Sequence, residues 1–143
     1  GCDAVLDPAS PDLADQVRAL TAGRGVDRAF DAIGGRTLID ALHALAPLGM
    51  VVSYNVVAGP PSEDVFQLLR QLLGRSLAVR VFSMHTLDAD PARRRELMDE
   101  AITLMAAGRV RAPQATVLPL AEAPQAHRII DAGQAAGKLV LIP

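Results

Sequence analysis

The sequence predicts an α/β protein: a mainly parallel sheet with helices flanking it. Three observations predict it. Short apolar runs at 26 to 33, 50 to 54, 77 to 82 and 139 to 142 alternate with stretches whose apolar residues recur every three to four positions, which is the pattern of buried strands separated by helices. The runs are bounded by Gly, Pro and Asp, the residues that end strands and start helices. The run at 26 to 33 also passes through Gly34-Gly35 straight into the helical pattern Arg36-Thr37-Leu38-Ile39-Asp40-Ala41-Leu42-His43-Ala44-Leu45, a strand, a tight turn and a helix. In parallel sheets ligands bind beyond the carboxyl ends of the strands. Asp31 to Gly35 would therefore sit on a binding rim, with glycines letting a bulky group approach the backbone.

The elements follow in order. Ala4-Val5-Leu6 reads as a short strand closed by Asp7-Pro8, because proline cannot continue a ladder. Ser10 as N-cap and Pro11 at the first helical position start a helix with Leu13, Val17 and Leu20 on one face, ended by Thr21-Ala22-Gly23. After the strand at 27 to 31 and the helix at 36 to 45, Ala46-Pro47-Leu48-Gly49 makes a turn into the strand at 50 to 54. A loop of small residues, 55 to 61, precedes a helix that Ser62 caps and that carries Val65, Phe66, Leu69, Leu72 and Leu73. The strand at 77 to 82 comes next, then a long helix from Asp90 to Gly108 with Pro91 at its first position and an apolar stripe of Leu97, Met98, Ile102, Leu104 and Met105. Thr116-Val117-Leu118 forms a brief strand, 123 to 132 a helix, and 139 to 142 the last strand.

Composition narrows the function. With 143 residues, half of them hydrophobic, the chain has the size and core of one domain. A net charge of -2 and four aromatic residues, none of them Trp, give neither the basic footprint nor the stacking platforms of a nucleic-acid binder. No apolar run approaches a membrane span. Cys2 is the single cysteine, which excludes an intrachain disulfide framework and suits a reducing, cytoplasmic setting. His43, His85 and His127 are too scattered for a metal site, and no Ser-His-Asp or Cys-His order has supporting context. Arg93-Arg94-Arg95 lies among Glu96, Asp99 and Glu100 and reads as a solvated helix face. The chain opens without Met and within an apparent strand, so a cut end is expected.

Four pieces in order then become informative: Val26-Asp27-x-x-Phe30-Asp31-x-x-Gly34-Gly35, Ala46-Pro47-x-Gly49-x-Val51-Val52-Ser53-Tyr54, Ala126-His127, and Gly137-Lys138-Leu139-Val140-Leu141-Ile142-Pro143. Together they resemble the medium-chain dehydrogenase/reductase superfamily, most closely its zinc-independent quinone oxidoreductase and enoyl reductase branch, over essentially the whole chain. The resemblance implies the C-terminal part of a nucleotide-binding Rossmann domain, residues 1 to 143, whose final segment from about 112 returns toward a substrate domain. It implies that the first two strands and the Gly-rich loop lie outside this sequence. The strand at 4 to 6 would then lack its neighbours, and it is expected loose or docked elsewhere.

The same resemblance implies NADPH as cofactor and hydride transfer to a quinone or an α,β-unsaturated carbonyl or thioester, a small-molecule substrate. No catalytic residue and no metal ligand is expected in this stretch, which alone would be inactive. Cofactor contacts are expected from Ile33, Gly34 and Gly35, from Tyr54 and Asn55 where the family more often has Gly in place of Asn55, from Phe82 and Ser83, and from Lys138 toward the phosphates. As residues alone, Gly34-Gly35 fits an ordinary turn, Phe82 an edge-strand hydrophobe and Lys138, the only lysine, a solvated position before the last strand. The strand at 77 to 82 is expected to be a sheet edge that pairs with its copy in a homodimer. Two rivals stay open: a Rossmann-like S-adenosylmethionine-dependent methyltransferase fragment, which would end in an antiparallel hairpin, and a non-catalytic dimerisation module.

Overall fold

Strands and helices alternate through the computed structural model, which describes residues 2–143. The chain forms two compact units, one ending at Thr86 and the other comprising Leu87–Pro143. The single continuous sheet expected from the alternation is therefore two parallel sheets. Strand patterns specify burial and say nothing of which strands share a ladder.

In the first unit, α1 (Leu13–Leu20), β1 (Val26–Asp31), α2 (Gly35–Ala44), β2 (Leu45–Ser53), α3 (Val65–Gln71) and β3 (Ala78–Val81) follow one another. The sheet order is β1-β2-β3, with both pairings parallel. Central β2 carries the core: Leu45 and Val51 are fully buried and pack with Leu38, Ile39 and Leu42 of α2 and Leu68 of α3. Leu38, Ile39 and Leu42 fall on one face of α2 by the three-to-four spacing, and each fully buried Leu or Val contributes about 1.5–3 kcal/mol. The sequence pattern marks α2 and the second half of β2, places the first half of β2 in a helix end and a turn, and does not include Leu68.

β1 is an edge of this sheet among the described residues, not a buried central strand: Phe30 is 73% exposed. The expected turn at 46 to 49 lies inside β2, as an irregularity between the pairs Val26↔Leu45 and Arg28↔Met50. Leu48 stands at its tip with φ 63°. A side chain at Gly49 would meet Ala46 O at 2.8 Å and Val26 O at 3.1 Å, so only glycine closes the excursion.

Helix starts depart by a few residues from the sequence reading. α1 begins at Leu13, with Ser10 and Pro11 in the turn before it, and Gln16 Nε2 donates to Ser10 Oγ (2.9 Å) and Asp12 Oδ1 (2.8 Å). The cap of α3 is Asp64, whose carboxylate accepts from Gln67 N at 2.9 Å, in place of Ser62. Asp64 caps α3 with its side chain, whereas Asp12 at the N-cap position of α1 makes no side-chain bond to a helix N–H and accepts from Gln16 Nε2. At the far end of α2, Arg18 donates to the His43 carbonyl at 2.8 Å, and Arg75 to the carbonyls of His43 and Leu45. Burial, and then the charge of Arg18, hold the Arg75 guanidinium below its ordinary pKa. Residues 4 to 6 join no sheet, as three residues without a neighbouring strand would not. Ala4 and Leu6 line a shallow cavity with Val17, Leu20 and Val26, while Val5 is exposed.

The second unit holds α4 (Pro91–Ala106), β4 (Ala115–Pro119), α5 (Ala123–Asp131) and β5 (Lys138–Ile142). α4 starts as the Asp-Pro pair dictates, with the Asp90 carboxylate accepting from Arg93 N at 2.9 Å. Its expected apolar stripe is not a buried one: Met98, Ile102 and Met105 are exposed, and only Leu97 and Leu104 reach half-burial. Arg95, Glu96 and Asp99 interrupt the apolar positions. β4 and β5 pair in parallel from Ala115↔Lys138 to Pro119↔Ile142, with α5 between them.

Candidate functional site

The carboxyl ends of β1, β2 and β3 lie side by side because all three strands are parallel. The ladder runs one step past the strands, as Tyr54 N donates to Asp31 O and Phe82 N to Ser53 O, both at 2.9 Å. These bonds fix the segments that leave the sheet. Ile33, Tyr54 and Phe82 thereby come to one rim, each about half exposed (45%, 51% and 44%). Val56 and Val57, in the loop after β2, are exposed apolar residues of the same rim, which the sequence reading passed over.

The turn from β1 into α2 is built on Asp31. Its carboxylate is buried, 6% exposed, and accepts from Gly34 N (3.0 Å), Ile33 N (3.3 Å) and Thr37 Oγ1 (2.8 Å). Thr37 Oγ1 also reaches Gly34 O at 2.8 Å. The turn then binds the loop that follows β2: Ala58 N donates to Ile33 O at 2.7 Å and Gly35 N to Gly59 O at 3.1 Å. The main-chain N–H groups of Gly34 and Gly35 are thus engaged within the protein. A pyrophosphate is gripped by N–H groups that point outward at a helix start, and these two do not serve that purpose.

Gly34 has φ 75° and ψ -151°, and a side chain there would meet Gly59 O at 2.5 Å and Val56 Cα at 3.2 Å. On the side where a Cβ would stand, the group that approaches this glycine is the chain's own loop. At Gly35 a Cβ would lie in ordinary contact, 3.5 Å from Ala58. Asn55 is exposed, and its side-chain oxygen accepts from Val56 N at 2.9 Å, turning the chain away from β2. Ser83 Oγ accepts from His85 N at 3.2 Å in the turn after β3.

Lys138 opens β5 in the other unit, where its N–H donates to Gln114 O at 2.9 Å and its side chain is exposed. Seven of the eight expected contact residues therefore belong to the first unit, on the segments that leave β1, β2 and β3. Asp31 and Thr37 were not singled out as working residues from the sequence. The available signal was an Asp ending a strand three residues before a glycine and six before a Thr, the spacing of a carboxylate that folds the chain back on itself. No group of three or more His, Cys, Asp or Glu placed to hold a metal occurs among the described residues.

The profile of the zinc-binding dehydrogenase family matches residues 1–141. The chain belongs to that family, in the quinone oxidoreductase and enoyl reductase branch of the medium-chain dehydrogenases/reductases. It is 30% identical over 148 residues to a 2-haloacrylate reductase of Burkholderia, covering 100% of this chain and 43% of that protein. It is 32% identical over 143 residues to a phthioceranic/hydroxyphthioceranic acid synthase of Mycobacterium tuberculosis, covering 99% of this chain and 6% of the synthase. Among solved structures, Escherichia coli quinone oxidoreductase complexed with NADPH superposes with a TM-score of 0.83 at 26% identity, over 100% of this chain and 44% of that one. A mycobacterial protein complexed with NADPH gives 0.85 at 27% identity, over 100% and 44%. The chain thus spans less than half the length of these relatives. The family match displaces the methyltransferase reading, and β4 and β5 run parallel where that reading required an antiparallel hairpin.

Proposed function

We propose that this chain forms the nicotinamide-facing part of an NADPH-dependent oxidoreductase that reduces a quinone or an α,β-unsaturated carbonyl or thioester. The observation that carries the proposal is the apolar rim of Ile33, Tyr54, Val56 and Phe82 beyond three parallel strand ends, the position at which α/β sheets bind nucleotides. Two structures similar over the whole chain were solved with NADPH, and a 2-haloacrylate reductase is among the relatives.

The residues fit one end of the cofactor better than the other. A half-exposed aromatic and aliphatic surface suits the flat, weakly polar nicotinamide, whereas the engaged N–H groups of Gly34 and Gly35 offer little to a phosphate. When bound, NADPH supplies the hydride. The chain's own part is to hold the ring through Ile33, Tyr54 and Phe82 and to keep water from it, with Gly34, Gly35, Asn55 and Ser83 shaping the segments that carry them. No acid or base is assigned to this chain, because the one carboxylate at the rim, Asp31, is committed to the turn.

The proposal extends to a homodimer through β3 and to a cytoplasmic location, which suits a protein whose single cysteine, Cys2, is exposed and unpaired as a thiol. The test is NADPH consumption by the enzyme that carries this chain, with benzoquinone and a 2-enoyl thioester as acceptors. Turnover with one of them is expected, and Tyr54→Ala should raise the KM for NADPH about fivefold. Failure to oxidise NADPH with either acceptor would contradict the reading.

A further inference from the structure

We infer that Asp31 and Thr37 are positioning residues of the cofactor rim, acting through the turn and loop that they tie together; the inference rests on the reading that this rim faces nicotinamide. Asp31 touches none of the exposed rim side chains by a side-chain hydrogen bond. Its carboxylate instead takes the N–H groups of Ile33 and Gly34 and the hydroxyl of Thr37, at 2.8–3.3 Å. The turn so fixed presents Ile33 O to Ala58 N and Gly35 N to Gly59 O, and Gly35 O accepts in turn from Ser62 N at 3.4 Å.

One buried carboxylate thereby sets two segments at once. The first carries Ile33 and the second carries Val56 and Val57, while Tyr54 is held to the main chain of Asp31 itself. Alone among the aspartates and glutamates described, Asp31 is buried, and all of its side-chain bonds run to this turn. A group that served only the stability of α2 would need no link to the loop at 56 to 59. The link makes the shape of the apolar rim depend on one side chain that a ligand need never touch, and small displacements of such a frame weaken binding of the group held on it.

The test compares two probes on the enzyme that carries this chain: NADPH, and adenosine 2′,5′-bisphosphate, which lacks the nicotinamide. Asp31→Asn should weaken NADPH about tenfold, and Thr37→Val about threefold, with affinity for the bisphosphate held within about twofold. Thr37→Val removes one hydroxyl from a half-buried position and keeps the test in force where Asp31→Asn fails to fold. Loss of both probes together, in step with a fall in melting temperature, would overturn the inference, as would unchanged NADPH affinity in Thr37→Val and Asp31→Asn. Tyr54→Ala run in parallel separates the two levels. If it weakens NADPH and the Asp31 and Thr37 variants do not, the inference alone fails; if it leaves NADPH unaffected, the rim reading fails and the inference with it.

Discussion

At Gly34 the backbone lies in a region open essentially to glycine, with φ 75° and ψ -151°, and the Cβ direction is filled by Gly59 O at 2.5 Å. Gly34→Ala should therefore cost about 2–3 kcal/mol, one part from the backbone conformation and one from pushing the loop off the turn. Urea unfolding of the chain measures it, and a loss below about 0.5 kcal/mol would show that the loop is not held against the turn. The sequence made the glycine legible as a turn residue. What it concealed was the neighbour, since the 55 to 61 loop is over twenty positions away and carries no feature that names Gly34 as its contact. Asp31 was concealed for a different reason: an acid at a strand end is commonplace, and its worth here comes from three donors that converge only once α2 has formed.

Among the elements, those with strong local signals matched the structure. Asp90-Pro91 starts α4 and the Gly34-Gly35 turn starts α2, within a residue of expectation. Asp12 and Asp64 stand at the N-cap positions expected for Ser10 and Ser62, and of the two Asp64 caps with its side chain, by reaching Gln67 N. β3 is an edge of the three-stranded sheet, as its place before the chain leaves the sheet implies. Its Val79 packs against the core, and Val81 is 80% exposed. That edge, which carries Arg80 between Val79 and Val81, leaves backbone groups unpaired, and these favour pairing with a second copy. Light scattering should give a dimer for the enzyme that carries this chain and a monomer for Val81→Lys, which puts a charge on the edge without entering the core. A parent that stays monomeric at high concentration would remove the dimer.

For the whole molecule, the order of motifs carried more than any one of them. The family was legible because its pieces sit at strand ends and turns, where backbone geometry limits the choice of residue, from Gly34-Gly35 to the Gly137-Lys138 entry into β5. The division into two sheets was not legible, because pairing partners are chosen by packing between distant segments. The central claim is that NADPH meets this chain at the carboxyl ends of β1, β2 and β3. Glycine-selective amide spectra of the enzyme during NADPH titration test it directly, since the glycines mark both ends of the sheet. Gly34, Gly35 and Gly59 follow β1 and β2, whereas Gly25 precedes β1 and Gly74 precedes β3. The account predicts that the resonances of Gly34, Gly35 and Gly59 move while those of Gly25 and Gly74 stay in place; movement of Gly25 and Gly74 with Gly34 and Gly35 unmoved would contradict it.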